Sequence, residues 1–425
     1  MEDHKEQRAE DVRMRGFAHR RTVEEAIAWL DAQLQPLGGE FVGLLKAACR
    51  VLADPITSAV DVPGFDRATM DGYALLAEST EGATPYNPLP LLVIGDALPG
   101  RPFQGTVARG QAVRIMTGAP IPEGSNAVLP AEWADHTAGS GSGTPQTDVR
   151  SVRAVAALSP GKNVGTCGED ITKGTALFRP GRLLRPQDVG VLSSIGVGEV
   201  RVLRRPRVRL VVTGSELLPA GSQPHGCRIA DANGPMLAAL VERDGGVVDF
   251  PGLVPDDEKA ILASLGADAD VVIVSGGSSV GMEDLAPTLL ATHGELAVHG
   301  IAMRPSSPTG LGRLGHRLVF LMPGNPVSCL CAYDFFAGRA IRALGGRPKV
   351  WPYRAVRARL ARKISSPVGR LDYARVRLDG GAAEPLAVGG ASALSSATRA
   401  DGFVIVPADS EGFAAHAEVE VWLYA

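Results

Sequence analysis

The sequence predicts a multidomain protein that combines an α/β domain with β-rich domains. Three observations carry this. The chain has 425 residues, more than one compact core accommodates, so about two to four domains are needed. Between Arg207 and Leu344, continuous apolar strands alternate with helices, the pattern of a parallel sheet covered on both faces. On either side of that stretch, short β-like runs alternate with Gly/Pro turns.

Composition is that of an ordinary globular protein, with 45% hydrophobic and 21% charged residues. A net charge of −3 argues against nucleic acid or a membrane surface as the main partner. Only seven of the 43 cationic residues are lysine, so positive charge rests almost wholly on arginine. The five cysteines (Cys49, Cys167, Cys227, Cys329 and Cys331) show neither paired CxxC spacing nor a histidine at zinc-finger distance, which excludes a disulfide framework and a structural zinc. Met1–Arg15 is charged throughout and lacks the apolar centre of a signal peptide. No apolar run reaches membrane-spanning length. The expected location is the cytoplasm.

Along the chain, the first sixteen or so residues read as a solvated arm. Thr22 with Glu25 forms a capping box, and apolar spacing from Ala26 to Ala48 predicts two helices separated by Pro36, Gly38 and Gly39. Leu91–Ile94, Ala112–Ile115 and Ala127–Leu129 read as strands, with the low-complexity stretch Ala138–Thr147 as a hairpin tip. Arg185–Asp188 starts a helix that Gly196 ends. Next come strand Val208–Val212, helix Pro235–Arg243, strand Gly246–Leu253, helix Asp256–Leu265 and strand Asp270–Val274. Helix Asp284–His293, strand Arg317–Met322 and helix Pro326–Leu344 complete the alternation. Runs at Ala355–Leu360, Tyr373–Leu378, Val404–Val406 and Val419–Trp422 predict a small closing β domain.

Three strand-to-helix turns carry the candidate chemistry. They are Thr213-Gly214-Ser215-Glu216, Ser275-Gly276-Gly277-Ser278-Ser279-Val280-Gly281 and Pro323-Gly324-Asn325-Pro326-Val327-Ser328. In an open parallel sheet such turns gather at the carboxyl ends of the strands, where ligands bind. Small residues admit a ligand to the backbone, and the helix N-termini offer free N–H groups to an anion. A phosphate-bearing substrate fits. Any one such glycine could serve a tight turn alone; three in successive units argue for a site. GxGxxG and GxxxxGK[ST] are both absent, so neither NAD nor ordinary ATP hydrolysis is indicated. Glu216, Asp256, Asp257, Glu283 and Asp284 flank the turns. Beside a phosphate they call for a hard cation such as Mg2+; Asp256 and Asp284 fit equally well as first-turn helix residues.

Taken in order, these segments resemble the MoeA family of molybdopterin molybdenumtransferases, which includes the C-terminal region of gephyrin. The matching pieces are Asp61–Asp66 through Met70-Asp71-Gly72-Tyr73-Ala74, Arg114–Ala119, Gly168-Glu169-Asp170-Ile171 and the three turns. The resemblance implies a helical linking domain from two separated stretches, 18–60 and 154–203, with a β-rich domain, 61–153, inserted between them. It also implies a three-layer α/β molybdopterin-binding-like domain, 204–346, and a β-barrel-like domain, 347–425. The implied reaction is insertion of molybdate into adenylylated molybdopterin with Mg2+ and release of AMP. The implied assembly is a homodimer in which Asp71 and Thr117 act from the partner chain. The adenylylating protein and recipient molybdoenzymes are the further partners it suggests.

By position, the family's catalytic residues fall on Asp71, Thr117, Asp170, Glu216, Asp256, Asp284 and Arg304, with Glu216, Asp256 and Asp284 as metal ligands. Pterin contacts fall on Gly214, Ser275, Gly276, Gly277, Ser279, Pro323, Gly324, Asn325 and Ser328, with Ser395 or Ser396 from the last domain. The departures are specific. The family's Lys-Pro-Gly-Lys-Pro is Arg304-Pro305-Ser306-Ser307-Pro308, so Ser307 loses a cation expected to face molybdate or phosphate. Ser215 stands for an aspartate and Gly165 for an arginine. Arginine and lysine are not equivalent ligands. These losses leave an alternative open, a catalytically weakened paralogue that binds pterin or acts as a scaffold. An amidase-linked relative of the α/β module alone is disfavoured, because the β-rich and linking segments match too.

Overall fold

The computed structural model describes residues 20–135, 151–276, 285–387 and 390–424. The expected N-terminal arm, the tip at Ala138–Thr147 and the candidate residues Gly277, Ser279 and Asp284 lie outside them. The chain forms two compact units. One comprises Met1–Phe41, Cys49–Ala53 and Arg201–Ala425; the other comprises Val42–Ala48 and Asp54–Val200.

The first unit is built on two six-stranded sheets. In the α/β sheet the strand order is Val247–Asp249, Arg207–Val212, Val271–Ser275, Arg317–Met322, Gly310–Leu314 and Glu295–His299. The first four are parallel. Alternate residues of the central strands feed two separate cores. Val208, Leu210, Val271, Ile273, Leu318 and Phe320 pack with helices Asn233–Arg243 and Gly338–Leu344 on one face. Val211, Val272, Val274, Val319 and Leu321 pack with Glu258–Leu265 and Leu285–His293 on the other. This is the expected three-layer arrangement, and it explains why these strands are apolar at every position.

The sheet differs from the wholly parallel expectation at one edge, where Gly310–Leu314 and Glu295–His299 add antiparallel strands. Their glycines hide them in the sequence. A Cβ on Gly312 would lie 2.1 Å from the Glu295 carbonyl oxygen, so close strand approach, not β propensity, selects the residue. The helix expected over Pro326–Leu344 is interrupted by a π-helical turn at Tyr333–Ala337.

The second sheet closes on itself. Its order is Met303–Arg304, Leu371–Asp379, Ala382–Ala387, Arg354–Leu360, Glu418–Leu423 and Gly402–Val406, and the last strand pairs back with Leu371–Asp379. Leu360, Val376, Val404, Val406 and Val421 fill its own core. Tyr373 and Phe403 instead join the larger core of the α/β domain. Near the start of the chain, helix Val23–Gln33 has the expected cap. The Glu25 N–H donates to Thr22 Oγ1 at 3.1 Å, and the Thr22 N–H donates to Glu25 Oε2 at 3.0 Å.

The second helix expected in this region does not form. Gly39–Gly43 is a strand paired with Glu199–Leu203, followed by a single 3-10 turn at Leu44–Lys46. The apolar spacing there lacked a core to bury it: Phe41 and Leu45 are exposed.

In the other unit a six-stranded sheet runs in the order Ala127–Pro130, Gly72–Leu75, Gln111–Ile115, Leu89–Ala97, Ser151–Ala154 and Ala134–Asp135. Leu75, Leu91 and Leu129 pack on one face, and Ala74, Val113, Ile115 and Val128 on the other. Helix Pro186–Ser194 begins and ends as its sequence predicts, with Gly196 left-handed at φ 78°. Asp188, buried in its first turn, accepts from Arg182 Nε at 3.0 Å and from the Arg185 backbone N–H at 3.0 Å.

Candidate active site

The three turns follow three adjacent strands. Val212 stands opposite Ser275, and Ser275 opposite Met322, so the segments beginning at Thr213, Gly276 and Pro323 emerge side by side. Backbone proximity explains the glycines. A Cβ on Gly276, where φ is 94°, would sit 2.0 Å from the Thr213 carbonyl oxygen. A Cβ on Gly214 would sit 2.7 Å from Glu216 Oε2. Together the turns border a cleft of about 430 Å³ lined by Thr213, Glu216, Ser275, Gly276, Gly324 and Asn325, a size suited to a small-molecule substrate.

Three further residues of the cleft carried no recognised signal in the sequence: Asp231, Asn233 and Ser392. Asn233 begins helix Asn233–Arg243 and is almost fully buried. Its Nδ2 donates to Ser275 Oγ at 2.8 Å and to the Gly324 carbonyl at 2.7 Å, joining two of the turns through one side chain. Asp231 Oδ1 accepts the Gly234 N–H at 2.9 Å and holds the start of the helix. Ser392 donates to Asn325 Oδ1 at 3.1 Å. Asp-Ala-Asn just ahead of Gly-Pro is a capping-type sequence, the signal by which the first two could have been found. Ser395 and Ser396 sit in the short helix Ser395–Thr398, where Ser396 donates to the Ala393 carbonyl at 2.6 Å. It is Ser392 that reaches the cleft.

The acidic residues divide. Glu216 is exposed at the cleft. Asp256 is not the helix cap that its position suggested: the helix starts at Glu258, and Asp257 caps it by accepting the Ala260 N–H at 2.9 Å. Asp256 accepts instead from Thr213 Oγ1 at 3.1 Å and is thereby tied to the cleft wall. No cluster of three or more His, Cys, Asp or Glu suited to a metal occurs among the described residues. Glu216 and Asp256 are hard oxygen donors. They fit a cation that takes one or two protein carboxylates and completes its shell from phosphate and water.

A second cavity, of about 770 Å³, shares Asn325 with the cleft and is lined by Arg304, Ser307, Pro323, Ser328 and Arg370 among others. Arg304 is not a free charge. Its Nε donates to Asp372 Oδ1 at 3.0 Å and its terminal nitrogen pairs with Oδ2 of the same fully buried carboxylate, which also accepts from Ser366 Oγ at 2.7 Å. Strand register dictates this, since Arg304 stands opposite Asp372. Ser306 occupies the family's glycine position and keeps a left-handed backbone at φ 89°. Its hydroxyl donates to the Ser328 carbonyl, and its own carbonyl accepts from Thr309 Oγ1 at 2.8 Å. These bonds offset the cost of that conformation, about 1–3 kcal/mol for a residue with a side chain.

In the β-rich unit Asp71 and Thr117 meet. Asp71 Oδ1 accepts the Thr117 N–H at 2.7 Å and the Thr117 hydroxyl at 2.8 Å. These two bonds, the backbone one foremost, hold the exposed Asp71 carboxyl below its usual range. The glycine after Asp71 is not only a turn residue. A Cβ on Gly72 would lie 1.9 Å from the Leu129 carbonyl oxygen of the neighbouring strand. Asp170 is exposed and follows Glu169, which pairs with Arg67 at 2.8 Å. Gly165 stands opposite Arg67 in the strand register, and a Cβ there would be 2.9 Å from both Glu169 carboxylate oxygens.

Comparison with known proteins accounts for almost the whole chain. Residues 21–196 match the family described as MoeA N-terminal region (domain I and II), residues 209–343 the probable molybdopterin binding domain, and residues 357–424 the MoeA C-terminal region (domain IV). The chain is 34% identical over 394 residues to molybdopterin molybdenumtransferase 2 of Mycobacterium tuberculosis, covering 90% of this chain and 94% of that one. It is 30% identical over 409 residues to molybdopterin molybdenumtransferase of Staphylococcus aureus, covering 94% and 95%. The structure resembles a molybdopterin biosynthesis MoeA protein of Pyrococcus horikoshii with a TM-score of 0.74 at 31% identity, over 96% of this chain and 100% of that one. With three family models matched in order along the chain and relatives of 30–34% identity covering nine-tenths of it, the chain belongs to the MoeA family of molybdopterin molybdenumtransferases.

Proposed function

We propose that this chain completes molybdenum cofactor by inserting molybdate into adenylylated molybdopterin, with Mg2+ and release of AMP. The observation that carries this reading is the meeting of two chemically different pockets at Asn325. One is a cleft walled by glycine turns and bearing Glu216; the other is lined by arginines. A pterin that carries phosphates and must meet a metal oxyanion needs both. Glu216 and Asp256, with Asp284, would hold Mg2+. Bound there, it would supply neutralising charge for pyrophosphate cleavage.

The protein's own work is positioning. Asn233 keeps the Ser275 and Gly324 turns in one relation, so their backbone groups present a fixed wall to the substrate. Ser392 orients Asn325 between the two pockets. Asp71, kept ionised by Thr117, and Asp170 complete the site from the partner chain of a homodimer working in the cytoplasm. Among the described residues no helix is long and apolar enough to cross a membrane.

The test is AMP release from adenylylated molybdopterin by the purified chain, with molybdate saturating and Mg2+ varied. Release should require Mg2+, and Glu216→Gln should slow it by about a hundredfold or more, the scale of losing one preorganised electrostatic contact. Tight pterin binding without any AMP release would instead support the weakened paralogue, the reading that uncharged Ser307 favours.

A further inference from the structure

The core does not take up the whole apolar face of helix Val23–Gln33. Val23, Ile27 and Asp31 recur every four residues and so stand on one side of it. Val23 is buried, whereas Ile27 is only partly covered. Beside them lies a third cavity, of about 370 Å³, walled by Val23, Ile27, Phe335, Trp351, Leu371 and Trp422. Its walls all come from one compact unit. It shares no lining residue with the cleft or with the arginine-lined cavity. The rings meet nearly at right angles. Trp351 stands at 80° to Phe335 and at 82° to Trp422, with centroids 5.0 and 5.1 Å apart. The Trp351 indole N–H is taken up by the Asp334 carbonyl at 3.0 Å, so the aromatic walls offer apolar surface. A largely apolar hollow of this size, with few polar groups at its border, is the usual form of a small-molecule site, and perpendicular rings pack well against a further flat ring.

The polar groups at the cavity decide which molecule fits. Asp31 accepts both ends of the Arg339 fork, at 2.8 and 2.7 Å, and its Oδ1 also lies 3.3 Å from Lys349 Nζ. One carboxylate therefore answers two cations that line the cavity. Arg339 is saturated by it. Lys349 is not, because an ammonium carries three donors and this one is 39% exposed beside the cavity. Two acidic side chains also line the hollow. Asp334 is committed elsewhere: its Oδ1 accepts from the Tyr353 hydroxyl at 2.8 Å and faces Arg243, and its Oδ2 is sealed from solvent. Glu24 is exposed, where its charge is screened. We propose that this cavity binds a small aromatic carboxylate, with its ring against Trp351 and Trp422 and its carboxylate on Lys349. The site is separate from the transferase chemistry and stands whether or not the chain releases AMP.

The experiment is titration calorimetry of the full chain with three probes that share an indole ring: indoleacetate, tryptamine and skatole, whose side chains are anionic, cationic and a bare methyl group. Indoleacetate should bind about tenfold tighter than skatole, the scale of one charge-assisted hydrogen bond, and tryptamine should bind weakest. Lys349→Gln should bring indoleacetate down to the affinity of skatole and leave the thermal midpoint within about 2 °C. Ile27→Trp, which fills the cavity, should abolish binding of all three. Where Ile27→Trp lowers the thermal midpoint, the half-exposed Lys349 position carries the test alone. Tryptamine binding as tightly as indoleacetate would overturn the proposal, as Glu24 and Asp334 would then set the preference. An anion preference that survives Lys349→Gln, binding unchanged in folded Ile27→Trp, or no binding of any probe would overturn it equally.

Discussion

Asn233 is the most consequential side chain in the cleft that is not itself offered as a ligand. Its Nδ2 bonds to Ser275 Oγ and to the Gly324 carbonyl, at 2.8 and 2.7 Å. A carbonyl only accepts, so the contact with Gly324 fixes which end of the amide faces the turns. Asn233→Ala removes two neutral hydrogen bonds at about 1 kcal/mol each, or about 2 kcal/mol in all. Asn233→Asp keeps the shape and is worse at neutral pH. It buries a carboxylate, at a site only 6% exposed, against a carbonyl oxygen, and an unpaired buried charge costs about 3–5 kcal/mol. Below its own pKa the aspartic acid regains one O–H donor, so the Asp variant should recover toward the Ala variant in acid. Urea unfolding of the full chain followed at neutral and acidic pH measures this, together with affinity for the adenylylated pterin, which should fall in both variants. Equal stability of Asp, Ala and wild type at pH 7, or an Asp variant more stable than Ala there, would refute the view that this amide clamps the cleft.

Three other outcomes follow from the same geometry. Gly276→Ala forces a side chain into a left-handed backbone and against the Thr213 carbonyl; the two costs together come to about 2–6 kcal/mol, read as a lowered denaturation midpoint. Thr117→Val removes the hydroxyl but not the N–H that contributes most to the low Asp71 pKa. By NMR titration Asp71 should rise only part of the way to its ordinary value, and no movement would mean that the hydroxyl bond does not form. Asp188→Asn should destabilise the β-rich unit by about 2–3 kcal/mol through lost bonds to Arg182 and Arg185. Those bonds hold the Asp188 carboxyl well below its usual range. Its contribution is therefore fully present above the unfolded value of about 3.9 and is lost as pH falls below it, so the Asn variant should show a flatter acid limb.

The α/β domain was legible because its central strands are buried on both faces and so read as unbroken apolar runs, bounded by turns whose glycines meet backbone. The same logic failed at Gly310–Leu314, where glycines at positions of close approach erased the strand signal. It failed in the opposite sense at Leu44 and Leu45, whose helical spacing has no core to face. Within the site, the turns carried their own signature. Asn233 carried only a helix-start signal and Ser392 none, because each acts through a single side chain delivered by a neighbouring element. Asp256 looked like a cap and proved to be bonded to Thr213. The least legible feature is the pairing of Met303–Arg304 with a strand about seventy residues further along the chain, a non-local contact that no local pattern encodes.

The account's central claim is that the rewritten cationic loop still serves molybdate insertion. Its most direct test is to incubate the purified chain with adenylylated molybdopterin, Mg2+ and saturating molybdate, then to quantify AMP released and molybdenum retained with the pterin after gel filtration. The account predicts that both rise together and in equal amounts. Absence of AMP and of retained molybdenum, from chain that binds the pterin substrate, would contradict it.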